Sequence, residues 1–141
     1  MRDLVDYLVK KTIVEDMGYK FLETNILLQG FKRVEPYIVD IHAWKKIFFG
    51  LSTKHLIAFI REGVFTKNLV SLFRFMYRDL ILAYQARMIH WLPQKIMLVS
   101  SKGFEPDVFP SSEKSIFLFY KVDPIKVEIE RIFPKEEKKG I

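Results

Sequence analysis

The 141-residue sequence predicts an α/β fold: a helix, a three-stranded meander, a long helix and a strand, followed by a C-terminal β-hairpin. Three observations predict it. The chain opens with an amphipathic helical repeat, breaks into short aromatic and β-branched segments bounded by Gly and Pro, and then holds a second helical repeat that ends in an apolar run of strand length. Half of the residues are apolar and 13 are Phe, enough for one compact core over residues 1–133, with a charged, flexible tail over 134–141.

In residues 2–17, Leu4, Tyr7, Leu8, Ile13, Val14 and Met17 recur at mostly helical spacing with charged residues between them, and Gly18 supplies the stop. "YKFLETNILL" is too short and too aromatic for another helix and predicts a first strand ending before Gln29-Gly30. Pro36 lacks a backbone donor, which suits the first residue of a second strand, "YIVDIHA". "KKIFFGLSTK" reads as a third strand joined to it through "HAWK". "HLIAFIRE" reads as a short helical turn closed by Gly63, and the segment from Thr66 to Leu92 as a long helix ended by Pro93. "QKIMLVSS" predicts a strand covered on both faces. After a Gly-, Pro- and Ser-rich loop, "SIFLFYKV" and "IKVEIERIF" predict a hairpin turning at Asp123-Pro124.

Composition narrows the function classes. With no cysteine, disulfides, thiolate zinc sites and thiol catalysis are excluded. The charged start and the lack of any window of ~18 apolar residues predict a cytoplasmic chain with no signal peptide, no membrane span and no membrane partner. A net charge of +6 favours a polyanionic partner such as nucleic acid. No Gly-rich phosphate loop or nucleophile elbow appears, and His42, His55 and His90 lie on three elements without metal-ligand spacing.

The order of elements, together with "EPYIVD" at residues 35–40 and "STK" at residues 52–54, resembles the PD-(D/E)xK or restriction-endonuclease-like superfamily, which includes archaeal Holliday junction resolvases and other small nucleases. The resemblance covers roughly residues 1–100. It implies a strand with Pro-Asp followed by a strand ending Glu-x-Lys, whose carboxylates hold Mg²⁺ while the lysine orients the attacking water. Laid on that pattern, Lys54 matches the lysine, whereas Tyr37 and Ser52 stand where the metal carboxylates belong; a neutral phenol and a hydroxyl do not replace them.

The resemblance therefore implies a nucleic-acid-binding protein with an inactive metal site and no cofactor, DNA being the expected partner over RNA. An alternative is an active Mg²⁺-dependent endonuclease with relocated carboxylates. There Glu35, on the strand face of Tyr37, joins Glu23, with Glu15 helping, around Lys54. Asp40 falls on the opposite face from Tyr37 and reads as structural, and Glu105-Pro106-Asp107 reads as a turn. The binding surface expected on either reading is a basic stripe of Lys45, Lys46, Lys67, Arg74 and Arg78 with Lys54, flanked by Phe31, Tyr37 and Trp44 as stacking rings. A third reading is a homodimer or protein-interaction domain using Phe75, Tyr77 and Leu82 of the long helix.

Overall fold

A computed structural model describes residues 2–110 and 115–135 of the chain. Helix α1 (Arg2–Lys11) continues through a π-turn (Thr12–Asp16), and its periodic apolar side chains Val5, Leu8, Val9 and Ile13 are buried as one stripe. Three antiparallel strands follow: β1 (Phe21–Leu28), β2 (Tyr37–Ile47) and β3 (Ser52–Arg61). Helix α2 (Lys67–Gln85) crosses back so that β4 (Lys95–Ser100) runs parallel to β3. Strand β5 (Phe117–Asp123) is parallel to β4, and β6 (Glu128–Phe133) closes the sheet as its antiparallel partner. The six strands lie side by side in chain order. Both helices, β4 and the closing hairpin fall where the sequence predicts them, α2 ending early.

The sheet is covered on both faces. On one, α2 packs Val70, Met76, Leu80 and Ala83 onto residues such as Tyr37, Val39, Ile57, Phe59, Leu98 and Phe119. On the other, α1 packs onto Ile41, Ala43, Leu56, Ala58, Met97 and Val99. Strands β3 and β4 therefore bury alternate residues in two different cores, which makes them near-continuous apolar runs in sequence.

That double burial displaces the middle of the meander from its predicted position. "HAWK" is not a connection: β2 runs through it to Ile47, and the turn lies at residues 48–51. "KKIFFGLSTK" is accordingly the end of β2, the turn and the start of β3 rather than one strand. "HLIAFIRE" belongs to β3, since Leu56 and Ala58 face α1 while Ile57 and Phe59 face α2; a short apolar run buried on both sides has no period that separates it from a helix. Helix α2 starts at an N-cap, Thr66, whose hydroxyl accepts from Leu69 N–H (3.2 Å). It stops at Gln85 instead of Leu92, with Arg87 in the left-handed region (φ 61°) breaking the helical path.

At the row of Asn25 and Asp40 the sheet is kinked. Asn25 has φ 53°, Val39 faces α2, and Ile41 faces α1. Asp40 Oδ2 replaces a ladder acceptor by taking Ile60 N–H (2.7 Å), while Oδ1 accepts from Arg2 (3.4 Å). The structural role expected of Asp40, off the Tyr37 face, is what the geometry gives. Residues 136–141 of the expected tail lie outside the described residues. No helix among the described residues is long and apolar enough to cross a membrane.

Candidate functional site

Tyr37 is fixed by helix α2. It sits at the first position of β2, buried, and its phenol donates to Asp79 Oδ2 (2.7 Å). Asp79 is 1% exposed, and its second oxygen accepts Lys32 N–H (2.7 Å). Burial, then the hydrogen bond and charge of Asp79, push the Tyr37 pKa up to about 12, so the phenol remains a donor at any physiological pH. The two bonds lace the loop between β1 and β2 to α2, and Gly30 is part of the lacing: a Cβ there would overlap the Asp79 carboxylate. Arg33 covers the Tyr37 ring at 4.4 Å. Tyr37 is thus neither a ligand nor a stacking platform for a base.

The nuclease constellation expected around Tyr37 does not assemble. The β2–β3 register pairs Ile47 with Ser52 and Lys45 with Lys54, so Ser52 lies across from the last residue of β2 and Tyr37 is its first. Ten residues of strand separate those ends, roughly 33 Å. Glu35 precedes Tyr37 and shares its end. Glu23 pairs with His42 near the other end and faces α2, whereas Lys54 alternates with Leu56 and faces α1. Glu15 is exposed on the π-turn, on the α1 side. The proposed set of Glu35, Glu23, Glu15 and Lys54 is therefore split between two ends and two faces. These donors do not fit a shared Mg²⁺, and no group of three or more His, Asp or Glu able to hold a metal occurs among the described residues. Glu105-Pro106-Asp107 leads into a 3-10 turn (Pro106–Val108), as expected.

The same register assembles a group that sequence reading left apart. Glu23 Oε1 lies 2.8 Å from His42 Nδ1, and His42 Nε2 lies 2.9 Å from His55 Nδ1. A carboxylate only accepts, which places a proton on His42 Nδ1; neutral His42 then accepts at Nε2 from His55 Nδ1–H, leaving His55 Nε2 as a bare acceptor. That atom reaches solvent, since among the described residues it has no hydrogen-bond partner and is not one of the buried unpaired atoms. Trp91 lies flat over both imidazoles (ring centroids 3.9 and 4.7 Å), and Trp44 on β2 and Phe21 on the edge strand β1 extend the stack outward. Burial holds both histidines below their ordinary pKa, His55 at about 4, where the charge of His42 adds to the effect. At neutral pH the dyad is uncharged, a chain of oriented neutral hydrogen bonds. The readable signal was the turn: once it is centred on residues 48–51, His42 and His55 become diagonal neighbours across β2 and β3.

The expected basic stripe also divides. Lys20, just before β1, Lys45 of β2 and Lys54 of β3 form a row on the α1 side, with Lys46 one step further along β2 on the opposite face. Lys45 donates to the Met17 carbonyl (2.7 Å) and covers the Tyr19 ring, and its pKa is lowered first by burial and then by Lys54 and Lys20. Lys67 begins α2 just beyond the far end of β3, and Arg74 donates to the Val108 carbonyl (2.8 Å), bracing a loop. With Arg78 exposed on α2, these three residues form a patch separate from the hairpin lysines.

At that same end of the sheet Trp44 is half-buried and Phe21 is exposed, while Phe31 is exposed near the opposite end. On α2, Phe75 and Leu72 line an apolar groove of about 520 Å³ with Pro36, Ile38 and Met76, and Tyr77 instead packs against the core.

No family model matches the chain, and no curated protein sequence matches it. A crystal structure described as that of a protein of unknown function, AF1548, superposes with a TM-score of 0.50 at 10% sequence identity, over 74% of this chain and 50% of that one. The chain thus spans about half the length of that neighbour, and at this identity the likeness concerns the fold alone.

Proposed function

We propose that the protein binds nucleic acid through the β2–β3 end of its sheet, with a restriction-endonuclease-like core that serves as a binding scaffold and lacks the catalytic carboxylate pair. One observation carries this reading: the row of Lys20, just before β1, with Lys45 of β2 and Lys54 of β3. Neighbouring strands are ~4.8 Å apart, and like charges directly opposite are unfavourable, so an anion set along the row relieves a repulsion built into the fold. Phosphates of a nucleic-acid backbone meet that need, and DNA is the preferred partner. The order helix, three-stranded meander, helix, parallel strand supports the nuclease-like scaffold.

Fluorescence anisotropy with labelled duplex, single-stranded and branched DNA tests the reading. Three or four lysine contacts predict a slope of log affinity against log salt of about −3. Lys54→Met is expected to act with opposite signs on two measurements: binding weakens several-fold, while the urea midpoint stays level or rises as one repulsion disappears, by about 0.5 kcal/mol. Binding that is flat in salt, or unaffected by Lys54→Met, sinks the proposal. Incubation with Mg²⁺ or Mn²⁺ is expected to leave all three substrates uncut.

A second reading rests on the groove beside α2, whose lining exposes Ile38 (67%) and Leu72 (64%). These residues and Phe75 suit a protein partner or a second copy of the chain. Sedimentation that stays monomeric at high concentration, with no change on Phe75→Glu, discards self-association through this face.

A further inference from the structure

The turn joining β2 and β3 presents three large apolar side chains to water at the tip of the sheet. Phe48 is 71% exposed, Phe49 106% and Leu51 88%. Their backbone is unusual as well. Phe48 and Phe49 have φ of 52° and 57°, and Gly50 follows at 85°. Left-handed geometry costs a bulky residue roughly 1–2 kcal/mol, so two consecutive phenylalanines held this way form a turn that maintains strain in order to project rings. The turn is nonetheless ordered, closed by Gly50 N–H to the Ile47 carbonyl (3.2 Å) and Leu51 N–H to the Phe48 carbonyl (3.1 Å).

Directly behind the apolar tip stand the lysines. Lys46 pairs with Thr53 and Lys45 with Lys54, one and two rows back from the Ile47–Ser52 pair that opens the turn. At ~3.3 Å per residue the apex leads the Lys45–Lys54 row by roughly 10 Å. A B-form major groove is about 8.5 Å deep and wide enough for a two-stranded β-ribbon. With the lysines at the phosphates, the apex therefore reaches the base stack. Apolar side chains that enter a base step, as the wedges of minor-groove binders do, partly unstack it, which costs least where a base is already unpaired.

We infer that the Phe48-Phe49-Gly50-Leu51 turn is a wedge that enters nucleic acid at an unpaired or bulged base, with Lys45, Lys46 and Lys54 seated on the flanking phosphates. This rests on the nucleic-acid reading above and supplies its partner class: distorted rather than regular duplex. Phe21 and Trp44, stacked at 5.5 Å on the adjacent strands, offer a displaced base an aromatic surface. An anionic membrane surface shares the preference for an apolar tip ringed by lysines. The aromatic stack beside the hairpin favours bases over lipid.

The test uses the full chain, with 2-aminopurine placed as the unpaired nucleotide of a single-nucleotide bulge and, in the control, in a fully paired duplex. The wild type is expected to bind the bulged duplex about tenfold more tightly and to raise its 2-aminopurine emission severalfold on binding, in line with one to two stacking contacts. The triple variant Phe48→Ser, Phe49→Ser, Leu51→Ser changes only exposed positions. It is expected to keep its melting temperature and the salt slope, while losing both the emission rise and the bulge preference. If the variant retains both, the wedge is overturned and the nucleic-acid reading stands. If the wild type binds neither duplex, both fail together. Sedimentation of the wild type with phosphatidylserine vesicles in the absence of duplex binding reassigns the tip to a membrane surface and overturns the proposal.

Discussion

Tyr37→Phe is expected to destabilise the protein by about 2 kcal/mol, the range for losing a hydrogen bond to a buried charged group. The substitution removes one oxygen and leaves the ring in place, so little packing is lost. Asp79, 1% exposed, keeps only the Lys32 N–H as hydrogen-bond partner among the described residues. With a urea m-value in the usual range of ~1–3 kcal/mol/M, the midpoint falls by about 1 M. The same substitution in an Asp79→Ala background is expected to cost far less, because the partner is already gone. A Tyr37→Phe midpoint within 0.2 M of the wild type, on the order of the resolution of such melts, or equal costs in both backgrounds, would falsify the assigned role of Tyr37 as the anchor of the β1–β2 loop.

Acid is expected to weaken the fold before the carboxylates titrate. In the unfolded chain His42 and His55 take protons near pH 6.5; in the folded chain His55 takes one only near pH 4, and His42 is also lowered. Between those values the unfolded state binds more protons, so stability is full above pH ~7, declines as pH falls through 6.5 toward 4, and levels off for these groups below that. Undiminished, a shift of that size corresponds to ~3.4 kcal/mol. His55 is partly exposed and solvent screens it, so a loss of about 2 kcal/mol between pH 7 and pH 4.5 is expected. Urea melts at pH 7, 6 and 5 measure it, with His55→Asn flattening the dependence. An NMR titration that places His55 near pH 6.5 contradicts the account.

How much of this was legible in the sequence depended on whether each element faces one core or two. Helix α1 has one buried side and charged residues on the other, so its period locates it, whereas β5, buried on both faces, is located by its aromatic composition and the turn at Asp123-Pro124. Strand β3 buries Leu56 and Ala58 against α1 and Ile57 and Phe59 against α2, which erases its alternation and moved the expected turn away from residues 48–51. Every site inference depended on that turn. Its true place carries Ser52 and Lys54 away from Tyr37, and brings His55 beside His42. Asp79 was hidden for a different reason: a single acid within a helical pattern carries no sign that it will be buried, and its partner lies 42 residues earlier in the chain. The basic residues could be counted without a register, but their division into a hairpin row and an α2 patch could not, because it follows from which face each strand and helix residue takes.

The stacking of indoles on the histidine dyad also fixes what the protein's own light can report. Trp44 and Trp91 are the chain's two tryptophans, and both lie in ring contact with His42. A protonated imidazole quenches an adjacent indole, so emission intensity follows the proton on the dyad and any ligand or fraying at the hairpin end. The opposite end of the sheet, where Tyr37 meets Asp79, contains no tryptophan and stays dark. Loosening there would pass unseen in emission while appearing in circular dichroism, and a gap between the two signals would measure how independently the two ends of the sheet come apart.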